Sequence, residues 1–316
     1  MKQRVLFFDI ARALCILWIV GFWHVIDYLH SEELAASMKN YSLVTQVALC
    51  CFTFISGFFL GKKRVSAGDF YKKRLKRFFV PLLVTSAMLS VFGWFDSPLH
   101  FVLSVTGLAS FIGRMPTTLW YFSMLMIFYL LTPPLLYKAE GRPVDIIARA
   151  LLVFAVFYVL HNVGYCDKRL LLYFPYYIAG MCLTMDNVIS LVSNKVYFTL
   201  AMCVAVLSFC IPSSYALNGG GKILLGVYLL ITITYYMEKY LHPAVNRIFS
   251  MIAYASMFAY LFHREGYGIY QLYERVTSVE LPQILLPMLT VIIFVVSYYM
   301  QMLYDRLLNK IERKSD

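Results

Sequence analysis

Apolar positions in this chain neither alternate nor form one amphipathic stripe. They run in blocks about as long as a bilayer is thick, at residues 6–28, 42–61, 78–95, 119–137, 146–160, 170–185, 196–211, 223–237, 248–263 and 282–304. A crossing helix needs roughly 20 apolar residues. The pattern therefore predicts an all-α polytopic integral membrane bundle of about ten transmembrane helices, with residues 1–316 forming a single domain. The weaker stretch at residues 100–112 is too short to cross and is expected to lie in the interface or re-enter.

Composition agrees with the pattern: 61% hydrophobic, 14% charged and a mean hydropathy of +0.69, where soluble domains carry about 25% charged residues. The net charge of +11 changes the picture through its placement. Basic residues concentrate in alternate loops: Lys2 and Arg4, the run at 62–77, Lys138, Arg142 and Arg149, Lys195, Lys239 and Arg247, and the C-terminal tail. The opposite loops hold fewer, namely Lys39, Arg114, Lys168, Arg169, Lys222, Arg264 and Arg275. Positive-inside bias then places both termini in the cytoplasm, and the bundle is expected in the cytoplasmic (inner) membrane. Anionic headgroups account for the charge, and nucleic acid is not expected as a partner. The first block is longer than a signal-peptide core and is expected to stay as an anchor.

Of the seven cysteines, Cys15, Cys50, Cys51, Cys182, Cys203 and Cys210 fall in predicted spans, and Cys166 is expected to be exposed. No Cys/His spacing matches a zinc site, so neither a disulfide framework nor a metal is expected.

The candidate chemistry begins with Arg12 and His24, both inside the first apolar block. Ionisable groups in hydrocarbon need a partner or water and by default mark function. The two are about 18 Å apart along a helix, with arginine toward the cytoplasm and histidine in the outer half. Asp9 and Asp27 stand three residues away on the same faces. A carboxylate beside an imidazole fixes its tautomer and raises its basicity, as a general base requires. A structural reading stands beside this one, with Arg12 and Asp9 paired at the membrane border and His24 capping a polar lumen.

Phe70-Tyr71-Lys72-Lys73-Arg74-Leu75-Lys76-Arg77-Phe78-Phe79-Val80-Pro81 is a basic amphipathic run entering the third span. Topology alone explains such charges, yet their density also suits a phosphorylated cytosolic ligand, with Arg74 and Arg77 in bidentate contacts. Leu119-Trp120-Tyr121-Phe122 opens the fourth span and by itself reads as an interfacial belt.

In order, these stretches resemble the acyltransferase-3 family of integral-membrane acyltransferases (O-acetyltransferase-like). The matching residues are Phe8-Asp9-Ile10-Ala11-Arg12-Ala13-Leu14 through His24, Phe54-Ile55-Ser56-Gly57-Phe58, the basic run with Pro81, Leu119-Trp120-Tyr121-Phe122, and Ile252-Ala253-Tyr254-Ala255-Ser256-Met257 to Tyr260-Leu261-Phe262-His263, which looks like the family's late serine-tyrosine helix ending in histidine. The resemblance implies transfer of an acyl group, most often acetyl, from cytosolic acyl-CoA (acetyl-CoA first) to a hydroxyl of a surface glycan or lipid-linked saccharide, within membrane lipid. It implies His24 as the base with Arg12 as its companion, Asp27 beside it, and Arg74, Arg77 and Lys73 as coenzyme-phosphate contacts. Trp120, Tyr121 and His263 are the candidate substrate or oxyanion contacts.

Eleven residues separate Arg12 from His24 here, where the family typically has ten. At about 100° per residue, twelve steps leave the two side chains about 120° apart, and a π-bulge in the span would realign them. Arg264 follows His263 where the family commonly has proline. The sequence has no Gly-x-Ser-x-Gly elbow, which favours direct transfer over a covalent route. A pantetheine arm reaching from the basic run to His24 predicts a continuous cavity lined by spans one, three and four. The alternative is a multi-span transporter or flippase of a glycan or lipid precursor, which predicts internal repeats and broken helices. The glycine run Asn218-Gly219-Gly220-Gly221 is expected in a loop, not inside a span.

Overall fold

The computed structural model describes residues 5–39, 41–62, 66–112, 119–139, 142–209 and 216–315. It is all helical, with no strand among the described residues. Helix α1 (Leu6–Trp18) continues as a π-helix at Ile19–Trp23 and a 3-10 turn at Val25–Tyr28. There follow α2 (Glu32–Lys39), α3 (Ser42–Gly61), α4 (Ala67–Val91), α5 (Pro98–Thr106) with a 3-10 turn at Leu108–Ser110, α6 (Trp120–Leu136) and α7 (Pro143–Asn162). The remainder are α8 (Lys168–Cys182), α9 (Met185–Ser193), α10 (Lys195–Phe209), α11 (Ala216–Tyr240), α12 (Pro243–Thr277) and α13 (Leu285–Ser315).

Local chemistry sets several of the starts. Ser66 accepts from the Asp69 amide at 3.1 Å while its hydroxyl donates to the Asp69 carboxylate at 2.7 Å, so both ends of this serine-to-acid spacing help to start the basic helix α4. Proline occupies the first helical position of α5, α7 and α12, where its missing N–H costs nothing.

Among the described residues, six helices are long and apolar enough to cross a membrane: Leu6–Tyr28, Ser42–Gly61, Pro143–Asn162, Gly219–Tyr240, Pro243–Thr277 and Leu285–Ile311. The pair α9 and α10, bent by 68°, makes a seventh if taken as one broken span. That is fewer than ten. The first half of α4 carries the basic run, and α6, with 17 residues, is about 25 Å long against a hydrocarbon core of about 30 Å.

The tightest contact is between α3 and α8. A Cβ built on Gly57 would stand 2.0 Å from the Tyr177 carbonyl oxygen, one on Gly180 2.1 Å from that of Phe54, and one on Gly61 2.6 Å from that of Met181. The two backbones touch, as small-xxx-small spacing allows where lipid offers no hydrophobic drive. Helix α1 lies centrally against α3, α11 and α12, with Phe8, Ile10, Ala11 and Ile16 fully buried. The Phe7 amide donates to Glu238 of α11 at 3.0 Å, which satisfies one of the orphan donors at the start of α1. Leu151 and Leu152 of α7, Val204 of α10 and Val291 of α13 face outward, as lipid-exposed positions should.

Several sequence expectations are corrected here. The glycine run starts inside α11 and is not a loop. Helix α12 does not end at His263 but continues to Thr277, because Arg264 and Glu265, which break the hydropathy pattern, are buried. Arg264 is thus not a loop cation. Cys166 is buried, whereas Cys203 lies on α10 as its span predicts, and Cys210 lies outside the described residues. Burial pushes the Cys166 thiol up to about 11, so at pH 7.5 nearly all of it is protonated and unreactive. A maleimide is therefore expected to modify Cys166 only after unfolding; labelling in native membranes at the rate of a free thiol would contradict the burial.

Candidate functional site

The π-turn at Ile19–Trp23 takes up one residue more than an α-helical turn. It brings Arg12 and His24, twelve steps apart, onto the same neighbour. Arg12 donates to the Ser256 hydroxyl at 2.9 Å, and the His24 ring stacks on that of His263 with centroids 4.5 Å apart and planes within 4°. Ser256 and His263 are two turns apart on α12. The expected bulge is present, and both residues face α12. Gly21 fits the bulge, since a Cβ there would come within 3.2 Å of Thr290. The Val20 carbonyl inside the turn accepts from Tyr267 at 3.0 Å, as backbone at this depth requires.

Both histidines are buried. His263 Nδ1 lies 2.7 Å from the Tyr260 carbonyl. A carbonyl only accepts, so that bond assigns the proton to Nδ1 and leaves Nε2 as an acceptor. Neither Nε2 of His263 nor Nδ1 of His24 has a partner among the described residues. Two buried acceptor-capable imidazole nitrogens at one place form a site that can take a proton from a bound hydroxyl.

The expected pairing of Asp27 with His24 does not form. Asp27 Oδ2 lies 2.8 Å from Arg264 Nη1, because the 3-10 turn carries the carboxylate past the histidine level to a full cation, a stronger partner than a neutral ring. At the other end of the span, Arg12 and Asp9 stand 3.9 Å apart, the expected border pair.

Tyr260 connects the histidines to α6. Its ring lies 6.3 Å from His24, 5.8 Å from His263, 5.6 Å from Tyr121 and 5.5 Å from Phe122. The Tyr121 hydroxyl already donates to the Leu49 carbonyl at 3.3 Å and meets the Thr53 hydroxyl at 3.1 Å, so this residue serves as wall and not as a free donor. Trp120 packs under the Arg169 guanidinium at 4.4 Å and beside Tyr173.

At the opposite end, Arg74 is half-buried over the rings of Phe70 and Tyr129 in a groove completed by Tyr71, Phe78, Met126 and Leu130. Lys73 and Arg77 are exposed beside it. The groove lies between α4 and α6, two of the three spans expected to line a donor path. A row of rings leads from it toward the first span: Tyr129 to Phe78 at 5.1 Å, Phe78 to Phe122 at 6.1 Å, then Phe122 to Tyr260 to His24. Among the described residues, no group of three His, Cys, Asp or Glu side chains is placed to hold a metal.

The first-span and late-helix motifs thus meet in space, and the comparison with protein families agrees: the acyltransferase-3 profile, described as an acyltransferase domain, matches residues 5–302. The chain belongs to the acyltransferase-3 family. No curated protein and no solved structure matches it. As a membrane acyltransferase it is not favoured as a carrier. Arg264 and Tyr260 are the residues that reading by motif missed as site components. Tyr260 carried a signal, its place in the late helix, whereas the contact of Arg264 with Asp27 joins distant parts of the chain and leaves no local trace.

Proposed function

We propose that this acyltransferase moves an acyl group, acetyl first, from cytosolic acyl-CoA to a hydroxyl of a surface glycan or lipid-linked saccharide, with His24 as the general base. The carrying observation is the buried His24 ring, stacked on His263 with its Nδ1 without a partner among the described residues, at the end of an aromatic row that begins at Arg74. Arg74 and Arg77, with Lys73, hold the coenzyme phosphates, and the thiol arm follows the row inward.

A thioester is already activated, so the protein has to orient two reactants and remove one proton. The acceptor oxygen attacks the thioester carbonyl and His24 takes its proton. The carbon–sulfur bond then breaks, and the coenzyme leaves as a thiolate that collects that proton. The His263 tautomer makes its Nε2 an acceptor, which fits a partner that orients His24 better than an oxyanion donor. Trp120 is the named candidate donor. The transfer is direct, in one domain spanning residues 1–316, with α4 and the shorter helices α6 and α8 crossing as well to give ten spans and two cytoplasmic termini in the inner membrane.

The test compares O-acetyl content of surface glycans by NMR, before and after alkali, in cells with and without the gene. Loss of alkali-labile acetyl in the deletion supports the reading. An unchanged acetyl pattern would sink glycan O-acetylation.

A further inference from the structure

The transfer mechanism leaves unused an open groove of about 360 Å³ between the start of α10 and the end of α11, lined by Phe198, Ile233, Tyr236, Met237, Tyr240 and Leu241. The chain bends by 68° between α9 and α10 beside it. Asn194 fixes that corner, because its Oδ1 accepts from the Val196 and Tyr197 amides at 2.9 and 3.3 Å and so caps α10. The Tyr236 hydroxyl donates to the Ser193 carbonyl at 3.5 Å, which ties α11 to the same corner. The first turn of α10 and the last turns of α11 thus share one end of the bundle, and the groove opens there.

That end carries two exposed lysines, on loops that the charge pattern assigns to the cytoplasm. Lys195 stands three residues before Phe198 and so on the same face of α10. Lys239 holds its ammonium 4.2 Å from the Tyr235 ring and 5.6 Å from that of Tyr236, a wall of the groove. Glu238, the one acid in α11, accepts from the Phe7 amide at 3.0 Å and is engaged toward α1. We infer that the groove binds one anionic phospholipid of the cytoplasmic leaflet, an acyl chain lying along its wall and the phosphate between Lys195 and Lys239. Lipid tails are as apolar as this wall, so the groove alone selects no headgroup. The lysines do, because ammonium groups at the cytoplasmic surface attract anionic lipids, while a zwitterionic headgroup brings an ammonium of its own. Tyr236 and Tyr240 suit the boundary, each with an apolar ring and a polar tip. A second copy of this chain fits less well, since a two-fold contact presents the same patch from both sides and would bring the lysines together.

The test titrates the full-length protein in detergent with phosphatidylglycerol or with phosphatidylcholine of the same chains, and counts retained lipids by native mass spectrometry. The wild type is expected to hold one phosphatidylglycerol about tenfold more tightly than phosphatidylcholine. Lys195→Gln combined with Lys239→Gln is expected to erase that preference. Met237→Trp, which fills the groove, is expected to lower the occupancy of both lipids. Lys310→Gln, which removes an exposed cation of α13, is expected to keep the wild-type preference. Equal retention of the two lipids by the wild type, an unchanged preference in the double lysine variant, or unchanged occupancy in Met237→Trp overturns the site. A dimer that Met237→Trp converts to monomer would assign the groove to a second copy and overturn it as well. No acyl donor enters the measurement, so the site stands or falls separately from the acyl-transfer reading.

Discussion

Exchanging His24 for alanine is expected to lower acyl transfer by about 10²- to 10⁴-fold, the usual weight of a general base, with the protein still present in the membrane at wild-type level. The ring is buried between helices, yet its Nδ1 has no partner among the described residues, so removing it strands no donor from the protein. His263→Ala is expected to cost less. Its Nδ1 is tied to the Tyr260 carbonyl at 2.7 Å and its contribution is to hold the His24 plane. The double variant should be little worse than His24→Ala alone, because residues acting as one unit are not additive. Rates from purified protein with radiolabelled acetyl-CoA check this. A His24→Ala enzyme with half the wild-type rate would remove histidine from the chemistry.

The second large effect is on the fold itself. Gly180→Ala is expected to cost at least about 3 kcal/mol, the upper range for overpacking, because the new methyl would stand 2.1 Å from the Phe54 carbonyl oxygen and 2.8 Å from the Phe58 nitrogen. Both neighbours are backbone, so neither can rotate aside, and α3 and α8 have to separate. Gly57→Ala meets the Tyr177 carbonyl in the same way. Gly68→Ala, with nothing within 4 Å of the added carbon, is the control and should be neutral or slightly stabilising through its better helix propensity. Thermal unfolding in detergent, followed by loss of the monodisperse peak, separates the cases. An unfolding temperature for Gly180→Ala equal to that of Gly68→Ala would mean that the helices do not touch.

Much of this architecture was legible in the chain because hydrocarbon imposes a simple requirement on apolar length. Each predicted block lies on a helix, and the extra residue between Arg12 and His24 pointed to the π-turn now seen at Ile19–Trp23. Hydropathy failed where a polar side chain is satisfied by a distant partner. Arg264 reads as a loop cation from its neighbours, but its partner Asp27 lies in the first span, and no local pattern reports that contact. For the same reason α12 looked as if it ended at His263. The glycine run looked like a loop because propensity disfavours it, yet it lies within α11. The number of crossings stayed ambiguous for a physical reason too: α6 and α8 hold many buried residues and so need less lipid-facing length than a helix at the rim.

The π-turn also separates two variables that a straight helix would lock together. In an α-helix, depth and facing angle advance in fixed proportion, so adding a residue below the histidine would turn it away from α12. With the surplus residue held at Ile19–Trp23, the first span keeps its angular register at Arg12 and at His24 independently. The length of the first helix can thus follow the thickness of the bilayer without swinging the imidazole off its partner.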